Sequence, residues 1–325
     1  MAFSINSIKN GNRKNQKIII ILIFGFALIN STILIKKRFM KLNKYINRRN
    51  PDHLKVCLCV ICKEENLYLK EFVEAYRKLG FNHIFIYDNN DINSEKIEEV
   101  IMEDVNKGFV TIINYRGFRG PDRGPQMYAY YDCYNRTNLI YDWIAFFDVD
   151  EYLRLNKVNR IQNFLIDSRY DYCEMVKINW RVFTDNNQLD YENKSLTQRF
   201  TEESKKYLEV NTIYKIIIRG NLSNYSLRKL YNPHDMFTSN QTCDSNGNIR
   251  LKDHIKPPVY KYARINHYKK TIGEFCRKLK KGDVYYNKIL EEGFLNYNFQ
   301  EFFHYNKKTK EKVSIFNREF NTSFK

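Results

Sequence analysis

The feature that most constrains the fold is the alternation of strand-like and helix-like segments between residues 55 and 153. Apolar, β-prone runs alternate there with segments whose apolar residues recur at helical spacing. The strand-like runs are "KVCLCVI", "HIFIYDNND", "FVTIINY" and "DWIAFFDVDEYL", and the helix-like segments between them are "NLYLKEFVEAYRKLG", "SEKIEEVIMEDVNKG" and "QMYAYYDCYNRTN". This order predicts βαβ units, and therefore an α/β fold with a mostly parallel sheet and helices on both faces.

The remainder of the chain has a looser pattern. "YDYCEMVKINWRVF" and "YKIIIRG" are predicted strands that can run antiparallel, and "VYKYARINHY" is a predicted late strand. "TIGEFCRKLKKGD" and the segment near residues 299–318 have helical spacing. We therefore predict an α/β nucleotide-binding half, a mixed half on the acceptor side, and a helical C-terminal cap.

The longest apolar run covers residues 18–35. About 18 residues at roughly 1.5 Å each nearly match a hydrocarbon core of about 30 Å. We predict an N-terminal tail at 1–17, a transmembrane signal anchor at 18–35 and a stem at 36–54; a cleaved signal peptide is the alternative. The flank after the run is more basic than the flank before it. The positive-inside rule, taken literally, would therefore keep the large domain in the cytosol.

The formal net charge of +17 suits anionic partners such as nucleic acid, a lipid surface or phosphorylated substrates. An AT-rich coding bias toward Lys, Asn, Ile and Tyr explains it equally well. The basic residues spread along the chain, with local density in the stem and around residues 269–281. A nucleic-acid surface would instead concentrate them with aromatic residues on one face, so we expect no nucleic-acid partner.

The seven cysteines cannot all pair with one another. Cys57 and Cys59 alternate along a predicted strand, which favours buried thiols. Cys59 and Cys62 have C-x-x-C spacing, but no second Cys or His cluster completes a zinc site. One or two disulfides can form among the cysteines if the domain is lumenal.

Two carboxylates, Asp148 and Asp150, directly follow the apolar run of the fourth predicted strand. Ligands of parallel sheets bind beyond the carboxyl ends of the strands. If extended geometry persists, the period of two places both side chains on the same face. Because adjacent carboxylates repel, the pair predicts a hard divalent cation, Mg²⁺ or Mn²⁺, that also binds a diphosphate. The alternative is a solvated acidic turn.

Polar residues also follow the other strands of this half. Lys63 and Glu64, in the run 63–66, follow the first strand, and Asp88 and Asn90 follow the second. Such side chains can bind a base or a ribose hydroxyl, although capping and turn formation use the same residue types. Three arginines occupy the Gly/Pro-rich loop after the third strand and either contact phosphates or face solvent: Arg116, Arg119 and Arg123.

Four stretches together resemble glycosyltransferase family 92 and its relatives in the family 2-like superfamily. They are "CVICKEENLYLKEFVEAYRKLGFNHIFIYDNN", "QMYAYYDCYNR", "WIAFFDVDEYL" and "RINHYKKTIGEFCRKLKKGD", and they cover roughly residues 55–283. The resemblance implies a GT-A fold, which is a Rossmann-like mixed sheet flanked by helices. It implies a GT-A domain at 55–270 followed by a C-terminal helical segment at 271–325. It also implies a nucleotide-sugar donor, a UDP-sugar above all, with Mn²⁺ or Mg²⁺.

The resemblance assigns roles to particular residues. It implies that Asp148 and Asp150 form the D-x-D motif and that His267 completes the metal shell. It also implies that the nucleoside binds near Asp88 and the Lys63-Glu64 pair. "NPHDMF" resembles a segment near the acceptor, which makes His234 a weaker candidate. Thr184 stands where members often have glycine, so acceptor recognition is expected to differ.

The function implied is metal-dependent transfer of a sugar, with galactose as one candidate, to a glycan or another hydroxyl acceptor with inversion. An inverting enzyme needs one general base, and Asp185, Glu192 and Asp235 remain open candidates. Typical members are Golgi type II membrane proteins, which implies a lumenal catalytic domain and conflicts with the flanking charges. Two alternatives are a catalytically inactive nucleotide-sugar-binding membrane protein and a basic, membrane-tethered protein that binds RNA or lipid.

Overall fold

The computed structural model describes residues 50–121, 124–205, 208–222, 233–234, 241–250, 255–282 and 292–325. The predicted tail, the predicted anchor at 18–35 and most of the predicted stem lie outside the described residues. Across the ranges just given, none of the helices combines the length and the apolar character needed to cross a bilayer. Leu54–Lys325 form one compact unit.

The first half of this unit alternates strands and helices as predicted. Its elements, in chain order, are β1 (Val56–Cys62), α1 (Asn66–Lys78), β2 (His83–Asp88), α2 (Glu98–Asn106), β3 (Val110–Asn114), α3 (Gly124–Thr137) and β4 (Trp143–Phe146). The second half contains β5 (Glu151–Leu155), α4 (Ile161–Leu165), β6 (Met175–Phe183), α5 (Leu196–Arg199), β7 (Tyr214–Arg219), β8 (Thr242–Asp244) and β9 (Ala263–Tyr268). The last helices are α6 (Ile272–Lys281), α7 (Glu292–Tyr305) and α8 (Lys310–Phe320).

The strands form a mixed sheet in the order β3-β2-β1-β4-β7-β6-β9-β5, with β8 paired to β6. β3, β2, β1 and β4 are parallel. β7 runs antiparallel to β4 and β6, which confirms the predicted change of direction. The chain leaves β1 toward β2 and β3 and then returns to β4 on the other side of β1. The carboxyl ends of β1 and β4 therefore meet at a topological switch point, where α/β sheets bind ligands.

β1 explains why the parallel half has helices on both faces. All seven of its residues are buried, and alternate residues enter two different hydrophobic clusters. One cluster receives the buried stripe of α1 (Tyr68, Leu69, Phe72, Val73, Tyr76), and the other receives that of α3 (Met127, Ala129, Tyr130, Cys133, Tyr134). A strand buried on both faces reads as a continuous apolar run, which is the pattern that "VCLCVIC" has.

The prediction that "DWIAFFDVDEYL" forms a single strand is wrong. β4 ends at Phe146, and β5 begins at Glu151 and pairs with β9 instead. A turn separates them, in which the backbone N–H of Asp148 donates to Glu151 Oε2 at 2.9 Å and that of Glu151 donates to the Asp148 carbonyl at 3.0 Å. Phe147 and Val149 stay buried within the turn, so the apolar pattern carries no sign of the break. The argument that strand periodicity places Asp148 and Asp150 on one face therefore does not hold.

The cysteines agree with the prediction in part, since Cys57 is a buried thiol and two disulfides form, but Cys59 differs. Cys59 points toward α3 and forms a disulfide with Cys133, with Cα atoms 6.3 Å apart, so the predicted buried thiol at this position is wrong. A second disulfide joins Cys173 and Cys243. Cys57, Cys62 and Cys276 are unpaired and buried; the described residues include every cysteine of the chain. Partners about 70 residues apart leave no local pattern, which is why the sequence did not identify them.

The C-terminal helices form a cluster of their own around Phe275, Phe299, Phe302 and Phe316. The segment predicted as helical near 299–318 is in fact two helices, because α7 ends at Tyr305 and Thr309 caps α8 by accepting from the N–H of Lys312. A buried ion pair between Lys312 Nζ and Asp185 Oδ2, 2.6 Å long, connects α8 to the residues that follow β6.

Candidate active site

A cavity of about 470 Å³ opens where the carboxyl ends of β1 and β4 meet. Its polar lining consists of three carboxylates (Glu65, Asp148, Asp150), four lysines (Lys63, Lys269, Lys278, Lys281), two histidines (His234, His267), Trp180 and Gln126. The fold thus brings five of the predicted residues together, although they lie far apart in the chain: Lys63, Asp148, Asp150, His234 and His267.

Asp148 is held by protein partners on both oxygens. Oδ1 accepts from Gln126 Nε2 at 2.7 Å and from the Tyr130 hydroxyl at 2.9 Å. Oδ2 accepts from the buried ammonium of Lys215 at 2.7 Å. Burial alone would raise the pKa of Asp148, but Lys215 outweighs it and the pKa lies below its usual value. Asp148 is therefore an ionised carboxylate in a fixed orientation.

Lys215 also lies 3.3 Å from Glu151 Oε2, directly behind the cavity. Burial raises the pKa of Glu151 to about 8, against the opposing effect of Lys215, and the nearby carboxylates of Asp148 and Asp150 add to the rise. Glu151 therefore gives up its negative charge more readily than an exposed glutamate does. Lys215 is shared between Asp148 and Glu151, and both raise its pKa.

Asp150 lies among cations and a histidine, of which Lys278 and His267 line the cavity. Oδ1 lies 3.6 Å from His267 Nε2, and Oδ2 lies 3.2 Å from Lys278 Nζ and 4.0 Å from Lys270 Nζ. Burial would raise the pKa of Asp150, but Lys278, His267 and Lys270 together hold it well below its usual value. Burial lowers the pKa of His267 to about 4, so its imidazole is neutral at pH 7.

A neutral imidazole and an ionised carboxylate are suitable ligands for one divalent cation. His267 Nδ1 has no hydrogen-bond partner within the part of the chain that the structure describes. His267 Nε2 and Asp150 Oδ1, 3.6 Å apart, are the atoms that fit a metal, whereas both oxygens of Asp148 already have protein partners. Among the described residues there is no group of three or more His, Cys, Asp or Glu placed to hold a metal. An ion at Asp150 and His267 would take its remaining ligands from diphosphate oxygens and water, as Mg²⁺ commonly does.

Glu65, rather than the predicted Glu64, belongs to the cavity. Glu65 accepts from Lys281 Nζ at 2.8 Å and from Lys270 Nζ at 3.0 Å. Glu64 is exposed, has a positive φ of 52°, and donates its backbone N–H to Asn90 Oδ1 at 2.6 Å. The left-handed turn at Glu64 directs the next side chain inward. The sequence marks this polar run but contains no signal that selects Glu65 over its neighbour.

Asp88, Asn90 and Arg116 stabilise the loop that follows β2. Asp88 Oδ1 accepts from the side-chain amide of Asn90 at 2.7 Å, and Oδ2 accepts from Arg116 Nη1 at 2.8 Å. Arg116 also donates to carbonyl groups of the same loop, and Arg119 pairs with Asp91 at 2.6 Å. The described lining of the cavity contains none of these residues. The guanidinium of Arg116 is thus engaged by protein instead of facing a phosphate or solvent. Arg123 lies outside the described residues.

Two of the three candidate bases lie away from the cavity. Asp185 is buried against Lys312, and Glu192 is exposed and pairs with Lys194 at 3.0 Å. Asp235 lies outside the described residues, next to His234, which does line the cavity. The Nδ1–H of His234 donates to the Tyr214 carbonyl at 2.9 Å, and burial lowers the pKa of His234 to about 3. The roles predicted for Asp88, Asn90 and the three bases stay predictions.

The sheet topology and the cavity together indicate the class of protein. A mixed α/β sheet flanked by helices, with a D-x-D turn at the switch point, is the architecture expected of the GT-A glycosyltransferases. The chain belongs to glycosyltransferase family 92, whose family model matches residues 52–278.

Curated relatives match shorter stretches. A glycosyltransferase family 92 protein of Ricinus communis is 29% identical over 100 residues, which are 31% of this chain and 17% of the relative. One of Oryza sativa subsp. japonica is 26% identical over 110 residues, 34% of this chain and 18% of the relative. The chain thus matches less than a fifth of the length of either.

The chain is also similar to solved structures at low identity. S. aureus TarS 1-349 in complex with UDP-GlcNAc is 13% identical with a TM-score of 0.40, over 83% of this chain and 74% of that one. Glucosyl-3-phosphoglycerate synthase from Mycobacterium tuberculosis in complex with Mn²⁺, UDP and glucosyl-3-phosphoglycerate is 10% identical with a TM-score of 0.31, over 54% and 60%.

Proposed function

We propose that this protein transfers a sugar from a UDP-sugar to a hydroxyl group of a glycan or another acceptor, with the help of Mn²⁺ or Mg²⁺. Membership of family 92 supports the reaction class. The observation that carries the donor assignment is the position of Asp150 in the cavity, facing the neutral imidazole of His267 at 3.6 Å and the ammonium of Lys278 at 3.2 Å.

The charge of the cavity suits a diphosphate. Its described lining contains four lysines and three carboxylates, so with neutral histidines the formal charge is +1. An ion that joined Asp150 and His267 would raise this charge further. A nucleoside diphosphate brings the negative charge that such a cavity attracts, and its leaving group is stabilised by the same cations.

Different residues of the cavity would hold the metal ion and orient the carboxylates. A divalent ion, when bound, neutralises the charge that develops on the departing diphosphate. Asp150 and His267 would hold that ion, and Gln126, Tyr130 and Lys215 orient Asp148. We include inversion, galactose and a base at Asp235 or another acceptor-side residue in the proposal, and they rest on the family resemblance alone.

The test is a donor screen on the purified full-length protein. UDP-, GDP- and CMP-sugars are added with Mn²⁺ or with EDTA, and thermal stability and sugar transfer are measured. A UDP-sugar is expected to raise the melting temperature in the presence of metal, since a ligand that binds the native state stabilises it. Asp150→Ala should abolish both this stabilisation and the transfer, whereas Asp104→Ala, which removes a partner of Arg77 away from the cavity, should retain both.

Three results would contradict the proposal. Transfer by Asp150→Ala at the rate of the unmodified protein would remove the metal role. Donor binding without turnover of any acceptor would instead indicate an inactive nucleotide-sugar-binding protein. Binding of RNA or anionic vesicles without donor binding would favour the third class, a basic tethered protein.

We further propose that the domain faces a secretory lumen, with residues 18–35 as a type II anchor in the Golgi. Two disulfides support this proposal, because such bonds persist in oxidising compartments and are rare in the cytosol. Protease treatment of sealed microsomes tests it. The domain should survive until detergent is added, and digestion of the domain in intact microsomes would place it on the cytosolic side.

A further inference from the structure

Helix α6 extends two lysines into the candidate active site, one turn apart. Lys278 Nζ lies 3.2 Å from Asp150 Oδ2, and Lys281 Nζ lies 2.8 Å from Glu65 Oε1. Lys270, just before the helix, lies 3.0 Å from Glu65 and 4.0 Å from Asp150. Three ammonium groups from this segment thus neutralise two carboxylates that belong to the other half of the cavity.

The lysines of α6 differ in burial. The side chain of Lys281 is nearly buried, and it also donates to the backbone carbonyls of Lys63 and Glu64. The side chain of Lys278 is 47% exposed. An exposed lysine can change rotamer and partner at little energetic cost, whereas Lys281 is fixed by several acceptors. Of the three lysines, Lys278 is therefore the one that can leave the Asp150 carboxylate and bind a ligand instead.

The helix itself provides a rigid base for such an exchange. A capping box closes its first turn, with the Thr271 side chain accepting from the N–H of Glu274 and the Glu274 side chain accepting from the N–H of Thr271. Arg199 donates to both oxygens of Glu274, at 2.8 and 2.6 Å, in a buried bidentate pair. Because the start of α6 is held so firmly, the exchange needs only the side chain of Lys278 to move.

Lys278 and a divalent cation would compete for the same carboxylate. Lys278 lies on Oδ2 of Asp150, while Oδ1 faces His267. Two cations at one carboxylate within about 4–6 Å of each other repel strongly in a partly buried site. A diphosphate removes this conflict, because its oxygens accept from the lysine and bind the metal at the same time.

We propose that Lys278 binds the diphosphate of the donor and couples donor binding to metal binding. Without donor, Lys278 neutralises Asp150 and weakens the binding of metal alone. With donor, the ammonium moves to the diphosphate and leaves Asp150 to the metal. This inference rests on the proposed function, since it requires a nucleoside diphosphate in the cavity.

The test compares Lys278→Met with Lys280→Met in the full-length protein. Lys280 belongs to the same helix and is also 47% exposed, but it pairs with Glu319 of α8 at 2.7 Å. Binding of Mn²⁺ alone is followed by electron paramagnetic resonance, and binding of UDP with and without Mn²⁺ is followed by calorimetry. Lys278→Met should bind Mn²⁺ alone several-fold more tightly and UDP at least about tenfold more weakly, the effect of losing one charge-assisted hydrogen bond. Lys280→Met should change neither constant.

Tighter binding of Mn²⁺ together with weaker binding of UDP would indicate coupling. A purely structural role is distinguished from it, because damage to the cavity would weaken the binding of both ligands. Lys278→Arg keeps the charge and should keep the UDP affinity close to that of the unmodified protein. Unchanged UDP binding by Lys278→Met, or weaker binding of both ligands, would overturn the inference while leaving the proposed function intact. If the unmodified protein binds no UDP with or without Mn²⁺, the proposed donor and this inference both fail.

Discussion

At the scale of single residues, burial separates cations that stabilise the fold from a cation at the rim of the cavity that can bind a ligand. Lys215, Lys312 and Arg199 are fully buried. Lys312 and Arg199 pair with the buried carboxylates of Asp185 and Glu274, and Lys215 pairs with Asp148, whose side chain is 35% exposed. Removing one member of such a pair leaves an uncompensated charge in the interior, which costs about 3–5 kcal/mol. Lys278 carries the same charge at the rim of the cavity, where water can solvate it after it leaves Asp150.

The pH dependence of stability should reveal the buried pair of Arg199 and Glu274. Burial would raise the pKa of Glu274, but hydrogen bonds from Arg199, Tyr68 and Thr271 lower it to about 2, from 4.5 for an unperturbed side chain. Because the folded pKa is the lower one, the stabilisation is complete above pH 4.5 and is lost as the pH falls toward 2. Glu274→Gln should therefore lower the free energy of unfolding by about 3 kcal/mol at pH 7, and the gap should shrink below pH 4.5.

Urea unfolding at pH 7, 5, 4 and 3 measures this gap. Glu192→Gln is the control, since its ion pair with Lys194 is exposed and should contribute less than about 1 kcal/mol at any pH. A gap for Glu274→Gln that stays constant from pH 7 to pH 3 would show that the charge of Glu274 does not stabilise the fold.

At the scale of elements, the periodicity of apolar residues predicts the helices and strands. Features that depend on one or two local contacts cannot be predicted in this way. β1 to β4 and α1 to α3 follow from apolar spacing, because each element buries one stripe or both faces. The break between β4 and β5 depends on two hydrogen bonds between Asp148 and Glu151, and the buried side chains around them have the same apolar pattern in a strand or in a turn. The choice of Glu65 over Glu64 likewise depends on one positive φ.

The ion pair between β6 and α8 supplies an element-scale prediction. Asp185 forms an ion pair with Lys312, and its backbone N–H donates to Asn306 Oδ1 at 2.8 Å, which connects the C-terminal helices to the sheet. Asp185→Asn should therefore lower the free energy of unfolding, since it removes the carboxylate that pairs with the buried ammonium of Lys312. The loss should be smaller than about 3 kcal/mol, because burial raises the pKa of Asp185 and Lys312 also donates to the Lys307 carbonyl. Sugar transfer per folded molecule should not change, because Asp185 is not among the described residues that line the cavity.

Chemical denaturation and a transfer assay at a temperature where the variant is folded measure the two quantities separately. Asp185→Asn/Lys312→Met should recover part of the lost stability, because no buried charge then remains unpaired. A variant that stays stable but no longer transfers sugar would instead support the role of Asp185 as the general base.

At the scale of the whole molecule, the candidate site combines residues from both ends of the domain. The position of Asp148 and Asp150 after an apolar strand predicted a metal site there, and the resemblance added His267, because both motifs are local in sequence. The contribution of α6 was visible only as a higher density of basic residues around 269–281, and nothing in the sequence states that these lysines face carboxylates at β1 and β4. The predicted helical cap is therefore a part of the cavity wall.

Thiol titration tests the two disulfide bonds. The structure pairs Cys59 with Cys133 and Cys173 with Cys243, and buries the other three cysteines. Native protein should show almost no reactive thiol, and unfolded protein without reductant should show three. Reduction should raise the count to seven and should lower the melting temperature, since each bridge closes a loop of 70 residues or more.

Cys276→Ser provides the control, because it should lower the count in unfolded, unreduced protein by one without changing the effect of reductant. Seven thiols in unfolded protein purified under oxidising conditions would mean that neither bridge forms.

The residues that form the cavity lie far apart in the sequence, and this separation determines when the site is completed during synthesis. Lys281 contacts the backbone of Lys63 from 218 positions away, so the wall of the cavity is closed by a segment that the ribosome produces long after β1. A nascent chain that has released only the parallel half has the D-x-D turn but lacks the lysines that neutralise it. Partial translation products should therefore not bind sugar nucleotides. Donor binding should begin late in synthesis, once α6 has folded.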